Sequence, residues 1–181
     1  LHASPFVKQN WAQAIDPNGR PTLVPGVEPS RRGSLVWPGQ VGGTNWCSPS
    51  YSPTANLIYV PFVESAMVFF KDVDFDSSQP RQGQKIMGSA PVPTSEPYQA
   101  GVRALNPVTG KRGWEYLPPP RRGFGGTGGT LATAGNLVFY GDGSDFSAID
   151  AGTGRALWRV NLGGLINASP VSFAVNGEQR V

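Results

Sequence analysis

The chain has one cysteine, Cys47, and one histidine, His2, among its 181 residues. A single cysteine can form neither an internal disulfide nor a cysteine zinc site. A single histidine does not support a Ser-His-Asp triad or a cluster of histidine metal ligands. No Cys-x-x-Cys-His stretch is present, so attachment of a c-type haem to this chain is also excluded.

Charge and long apolar runs are scarce as well. Charged residues make up 15% of the chain, and the net charge is only +3. The densest basic spots are the pairs Arg31-Arg32 and Arg121-Arg122. Without a recognition motif beside them, they are interpreted as solvated loops, and nucleic acid is not expected as a partner. No apolar run is long enough to span a membrane in this chain.

Glycine and proline are abundant, with 24 and 18 residues, and neither is periodic. The apolar runs between them are short, which is typical of many short strands joined by tight turns. Residues 72–99 are polar and contain prolines, and we expect a long irregular loop there. Three aspartates at Asp72, Asp74 and Asp76 lack the glycine and glutamate of a calcium loop. They are interpreted as a solvated acidic edge.

An internal repeat is the strongest signal. The stretches ALNPVTGKRGW, from Ala104 to Trp114, and AIDAGTGRALW, from Ala148 to Trp158, share the pattern A-x-[ND]-x-x-T-G-x-x-x-W. They lie 44 residues apart, a period that indicates the blades of a β-propeller. The Asn or Asp suits a side-chain-capped turn, the glycine suits a positive φ, and the tryptophan suits packing between neighbouring blades.

The segment GGTNWCSPS, at residues 42–50, is a candidate site. Gly42 and Gly43 suit a close approach of the backbone. Asn45 and Trp46 suit either a turn asparagine with a core tryptophan, or the rim of a site that holds a flat polar group. Cys47 is interpreted as a small buried residue. The glycines of GFGGTGG, at residues 123–129, lack the lysine-serine and the helix of a phosphate loop, so close backbone approach explains them better.

Together with the repeat, three stretches carry a resemblance to a known family: PFVKQNWAQAIDPNGRP, GGTNWCSPSYSPTANLIYVP and GGTGGTLATAG continuing to VSF. The chain resembles the later blades of the quinoprotein alcohol dehydrogenases, which use pyrroloquinoline quinone (PQQ). The resemblance implies an all-β fold, as part of an eight-bladed propeller of four-stranded antiparallel blades. Residues 1–181 would then form one incomplete propeller domain, with both ends interpreted as cut ends of a longer protein.

The resemblance also implies a chemistry. In this family PQQ lies beside a calcium or lanthanide ion, a carboxylate takes the alcohol proton, and hydride passes to the quinone. Asn45 and Trp46 match residues that border PQQ, and Gly128 to Leu131 match a segment near the cofactor. Thr127 stands where several members have tryptophan, which leaves an aromatic contact there in doubt. The substrate would be an alcohol, the electron acceptor a periplasmic protein such as a cytochrome c, and the location periplasmic.

The metal ligands and the catalytic aspartate of the family match no position in this chain, so no catalytic residue is predicted in it. Asp16 and Asp150 lie in turn motifs and are interpreted as structural. The chain alone is therefore expected to show no turnover, although the full-length protein would be a PQQ-dependent alcohol dehydrogenase. The alternative is a non-catalytic propeller of the same lineage, acting as a scaffold or in envelope assembly.

Overall fold

The computed structural model describes residues 3–71, 78, 89–119 and 127–181. Every regular element in this part of the chain is a β-strand, as expected from the short apolar runs between turns. Consequently, the described residues include no helix that could cross a membrane. The strands are β1 (Ala12–Ile15), β2 (Pro21–Leu23), β3 (Ser34–Val36), β4 (Ser50–Ser52), β5 (Leu57–Glu64), β6 (Met67–Lys71), β7 (Ser89–Pro93), β8 (Gln99–Leu105), β9 (Arg112–Tyr116), β10 (Thr127–Ala132), β11 (Leu137–Asp142), β12 (Asp145–Asp150), β13 (Ala156–Asn161), β14 (Phe173–Val175) and β15 (Glu178–Arg180).

The chain divides into two compact units, and the first comprises residues 1–43 and 64–98. It contains the β1–β2 hairpin and a three-stranded sheet of order β3-β6-β7. In the hairpin, the Asp16 carboxylate accepts hydrogen bonds from the amides of Asn18 (2.9 Å) and Arg20 (2.8 Å). Asp16 therefore caps a turn, which confirms its interpretation as a structural residue.

The sheet of the first unit includes a strand from the segment that was expected to be an irregular loop. Strand β7 pairs antiparallel with β6, with Val92 opposite Val68. The sequence APVP carries two prolines within five residues, which obscured its strand character. Other predictions fall outside the described residues. These concern His2, the aspartates Asp72, Asp74 and Asp76, the pair Arg121-Arg122 and the glycines at 123–126.

The second unit comprises residues 44–63 and 99–181. It contains two four-stranded sheets, of order β4-β5-β8-β9 and β10-β11-β12-β13, and the β14–β15 hairpin. The repeat occupies the same place in both large sheets. Ala104 pairs with Trp114 across β8 and β9, and Ala148 pairs with Trp158 across β12 and β13. In both pairs of strands the register shifts one residue after the alanine.

The turns of the repeat also share one hydrogen-bond pattern. Asn106 accepts bonds from the amides two and three residues ahead, at 3.0 and 2.9 Å. Asp150 does the same at 3.0 and 2.8 Å. Gly110 and Gly154 adopt positive φ values of 68° and 77°, which a residue with a side chain adopts at a cost. The predicted roles of the Asn or Asp and of the glycine in the turn are confirmed.

The core of the second unit forms where the first repeat packs against the turn of the second. The Trp114 indole N–H donates to the Ala151 carbonyl (2.9 Å), and the Tyr59 hydroxyl donates to the same oxygen (3.0 Å). The two rings are stacked, with centroids 5.5 Å apart. A side chain at Gly154 would lie 2.6 Å from the Trp114 ring. The predicted packing of a repeat tryptophan on the neighbouring sheet is confirmed for Trp114.

Candidate functional site

The candidate site begins in the segment that leads into β4. Asn45 is exposed, and Trp46 has 73% of its surface accessible. The next residue, Cys47, is buried, with 5% of its surface accessible. Trp46 is therefore not a core tryptophan, whereas Cys47 is the small buried residue that was predicted. After Ser48 and Pro49 the chain enters β4 at Ser50.

Strand β10 holds this segment in place through Thr130. The Thr130 amide donates to the Ser48 carbonyl (2.9 Å). The Thr130 hydroxyl donates to the Tyr59 carbonyl (3.0 Å) and accepts from the Ser50 hydroxyl (2.9 Å). The family resemblance rested in part on two segments, Gly42 to Ser50 and Gly128 to Leu131. The structure brings them together where Thr130 contacts Ser48 and Ser50.

The glycines before Thr130 allow a third segment to approach. A Cβ at Gly129 would lie 2.9 Å from the Ser48 carbonyl oxygen and would overlap the Ser169 side chain. A Cβ at Gly128 would lie 3.0 Å from the Ala168 carbonyl oxygen. Close backbone approach therefore explains these two glycines, as predicted. The partner loop, residues 162–169, was missed, and its only sequence signal was the pair Gly163-Gly164 directly after β13.

The chemical groups at this site suit binding rather than reaction. Asn45 offers an amide and Trp46 offers an exposed indole plane with one N–H donor. Among the described residues, no group of three or more His, Cys, Asp or Glu side chains is placed to hold a metal ion. Asp142 is buried at the end of β11, in register with Thr127 of β10.

Asp150 lies in its turn, as the sequence predicted. The Thr153 hydroxyl (2.9 Å) and amide (2.8 Å) donate to its carboxylate. These hydrogen bonds, above all that of the hydroxyl, lower the pKa of Asp150 below its ordinary value, with smaller contributions from the Gly152 amide and from Arg155. A carboxylate that is held ionised by its own turn is a structural group rather than a proton acceptor for a substrate.

Comparisons with known proteins agree with this geometry. Residues 117–181 match the PQQ family, described as glucose/ethanol/alcohol dehydrogenase, beta-propeller domain. The chain is 35% identical to a 1-butanol dehydrogenase (cytochrome c) of Thauera butanivorans, over 100% of this chain and 27% of the relative. It superposes on a quinohemoprotein alcohol dehydrogenase from Comamonas testosteroni with a TM-score of 0.86 and 26% identity, over 99% of this chain and 28% of that one.

The chain is similar to the quinoprotein alcohol dehydrogenases. It is also similar to a europium-containing methanol dehydrogenase, with a TM-score of 0.80 and 28% identity, over 98% of this chain and 31% of the other. The predicted class, a partial β-propeller of four-stranded antiparallel blades, is confirmed. The chain spans about 27% of the length of the 1-butanol dehydrogenase. The cofactor-contacting roles of Asn45 and Trp46 stay predictions.

Proposed function

We propose that this chain is part of a PQQ-dependent alcohol dehydrogenase and supplies one wall of its PQQ site. The observation that carries the proposal is the pair Asn45-Trp46, exposed side by side directly before a strand that β10 anchors. Exposing 73% of a tryptophan costs free energy. An exposed indole beside an amide is typical of a surface that binds a flat polar ligand.

The residues of the pair fit a quinone cofactor. PQQ, when bound, accepts the hydride that leaves the alcohol carbon. The Asn45 amide would donate a hydrogen bond to an oxygen of the ring system, and the Trp46 indole would cover an edge of the ring and exclude water from it. Gly129 leaves room beside the Ser48 carbonyl, because a Cβ there would lie 2.9 Å from that oxygen and would push against the segment that carries the pair.

The metal ion and the base are proposed to come from other parts of the enzyme. The described residues hold no cluster suited to a metal ion, and Asp16 and Asp150 are engaged in turns. A calcium or lanthanide ion is proposed for the whole protein, with support from the europium-containing relative. This chain would bind and orient the cofactor, and it would not abstract the proton of the alcohol.

The substrate, acceptor and location follow from the relatives. An alcohol is the proposed substrate, and a cytochrome c is the proposed electron acceptor, since the Thauera butanivorans relative is named a 1-butanol dehydrogenase (cytochrome c). The periplasm is the proposed location, because the resemblance to this family implies it. These proposals concern the whole protein, since the chain spans about 27% of that relative.

The test is a titration of the whole protein with PQQ and calcium, followed by dye reduction with a series of primary alcohols. We expect saturable PQQ binding and alcohol-dependent reduction of the dye. Asn45→Ala and Trp46→Ala should each weaken PQQ binding by about tenfold, the usual effect of losing one well-made polar or ring contact. Tyr51→Ala, which removes an exposed aromatic on β4, is the control and should bind PQQ normally.

Two outcomes would count against the proposal. If the whole protein neither binds PQQ nor oxidises any alcohol, the non-catalytic scaffold of the same lineage is favoured. If it binds PQQ and both variants bind it as well as the unmodified protein, the pair is only part of a turn. In that case the enzyme assignment survives and the assignment of this wall does not.

A further inference from the structure

Thr130, on β10, makes several hydrogen bonds to the neighbouring sheet that carries the candidate site. It is buried, with 4% of its surface accessible. Its hydroxyl donates to the Tyr59 carbonyl (3.0 Å) and accepts from the Ser50 hydroxyl (2.9 Å). Ser50 and Tyr59 lie opposite each other as the first pair between β4 and β5. The Thr130 side chain, on the β10-β11-β12-β13 sheet, is thus hydrogen-bonded to both Ser50 and Tyr59, which form the first residue pair of the β4-β5-β8-β9 sheet.

The position of Asn45 and Trp46 depends on where β4 begins. Strand β4 is only three residues long and, within the described part of the chain, lies at the edge of its sheet. A short edge strand is weakly specified by its own pairing. The Thr130 amide also binds the Ser48 carbonyl (2.9 Å). Thr130 is thus hydrogen-bonded to the Ser48 backbone and to the Ser50 side chain. Ser48 lies only two residues after Trp46.

We propose that Thr130 is a positioning residue that sets the orientation of the Asn45-Trp46 pair through Ser48 and Ser50. Its hydroxyl fixes the start of β4, and its amide fixes the carbonyl from which the exposed segment departs. Gly129 has a complementary role, since a side chain there would push against the Ser48 carbonyl oxygen at 2.9 Å. This inference rests on the proposed role of the pair in PQQ binding.

The experiment compares Thr130→Val and Thr130→Ser in the whole protein. Valine has the shape of threonine but removes every bond of the hydroxyl, including its longer contact to the Ser48 carbonyl (3.5 Å), whereas serine keeps the hydroxyl. Hydrogen–deuterium exchange of the peptide covering residues 44–50, without PQQ, should be about five- to tenfold faster in Thr130→Val and nearly unchanged in Thr130→Ser. The Kd for PQQ, measured by titration, should rise about five- to tenfold in Thr130→Val alone.

Thr133→Val is the matched control. The Thr133 hydroxyl donates to the Leu137 carbonyl (3.4 Å) within the same hairpin, so its loss should lower stability slightly and leave both readouts unchanged. If Thr130→Val does not fold, Ser50→Ala removes one of the same bonds from the other side. It should then accelerate exchange in the peptide in the same direction.

The outcomes separate the two levels of the argument. Unchanged exchange in both Thr130→Val and Ser50→Ala would overturn the positioning role, whatever the protein does with PQQ. Faster exchange with an unchanged Kd for PQQ would also overturn it, because the segment would then be ordered by Thr130 without consequence for the site. A failure of the unmodified protein to bind PQQ would overturn the proposed function itself.

Discussion

Trp46 and Trp114 show at the scale of single residues that surroundings decide what a tryptophan does. Trp114 retains 9% of its surface and donates its indole N–H to the Ala151 carbonyl (2.9 Å), as a residue that joins two blades. Trp46 retains 73% and lies beside an exposed asparagine. The motif around Trp114 predicted its role, because the repeat places a large apolar ring at the start of the next strand, where it can pack on the neighbouring blade. No local pattern predicted the exposure of Trp46.

The carboxylate of Asp150 makes the repeat turn sensitive to acid. The Thr153 hydroxyl and amide favour the ionised form and lower the pKa of Asp150. A group whose pKa is lower in the folded state stabilises the fold above its ordinary pKa, near 4, and this contribution disappears as the pH falls through the lowered value. We therefore expect the melting temperature to decrease when the pH is lowered below about 4, in part because of Asp150.

Asp150→Asn tests this contribution. Asparagine occupies the same position in the sister turn at Asn106 and accepts the same two amide bonds, so the variant should keep the turn. The fall of the melting temperature between about pH 5 and pH 3 should be shallower in the variant than in the unmodified protein. Identical slopes would show that Asp150 does not contribute to the acid sensitivity, and Asn106→Asp should steepen the slope.

The repeat turn is, at the scale of elements, the unit that joins one blade to the next. Gly154 combines a φ of +77° with direct contact to the Trp114 ring, from which a Cβ would lie 2.6 Å away. The same turn residue thus meets a backbone requirement and a packing requirement. The sequence pattern predicted the first through its spacing, and the structure shows the second.

Two glycines with the same backbone angle separate these requirements. Gly163 also has a φ of +77°, but a Cβ there would meet nothing within 4 Å. Gly163→Ala should cost only the backbone strain, about 1 kcal/mol, whereas Gly154→Ala should cost a further 1–3 kcal/mol through overpacking against Trp114. Thermal unfolding measures both variants. Equal losses of stability would contradict a packing role for Gly154.

At the scale of the whole molecule, the second unit leaves large apolar side chains on its surface. Trp158 has the same position in the second copy of the repeat as Trp114 has in the first, but 51% of its surface is accessible. When no turn of an adjacent blade packs on the repeat tryptophan, the apolar face of its blade stays exposed. Other exposed apolar residues of this unit are Leu157, Leu162, Leu165, Val171 and Phe173.

The chain of residues 1–181, produced alone, should therefore associate and should not oxidise alcohols. Light scattering and the binding of a hydrophobic dye should both exceed those of the whole protein, because exposed apolar faces favour association. Dye reduction with PQQ, calcium and alcohols should be absent. A monomeric chain with one sharply cooperative unfolding transition would contradict the expected association.

Much of the fold followed from short-range patterns. Each copy of the repeat is eleven residues long and contains its own Asn or Asp cap and its own turn glycine. Each of these residues acts on the backbone nearby. Local hydrogen bonding and local φ preferences are properties that a sequence carries without tertiary help. The all-β class and the turns of Asn106 and Asp150 were predicted for this reason. The predicted packing of the repeat tryptophans holds for Trp114 but not for Trp158, which retains 51% of its surface, because that packing depends on a neighbouring blade.

The sequence by itself determined the blades and their turns, together with the resemblance that names Asn45 and Trp46. The tertiary structure alone decided that β7 is a strand, that residues 162–169 cover the glycine pair, and that Thr130 anchors β4. Thr130 and Ser50 are separated by 80 residues, and a hydrogen bond over that separation leaves no periodic trace in either segment. The contacts that hold the candidate site together arise only when the two blades pack against each other.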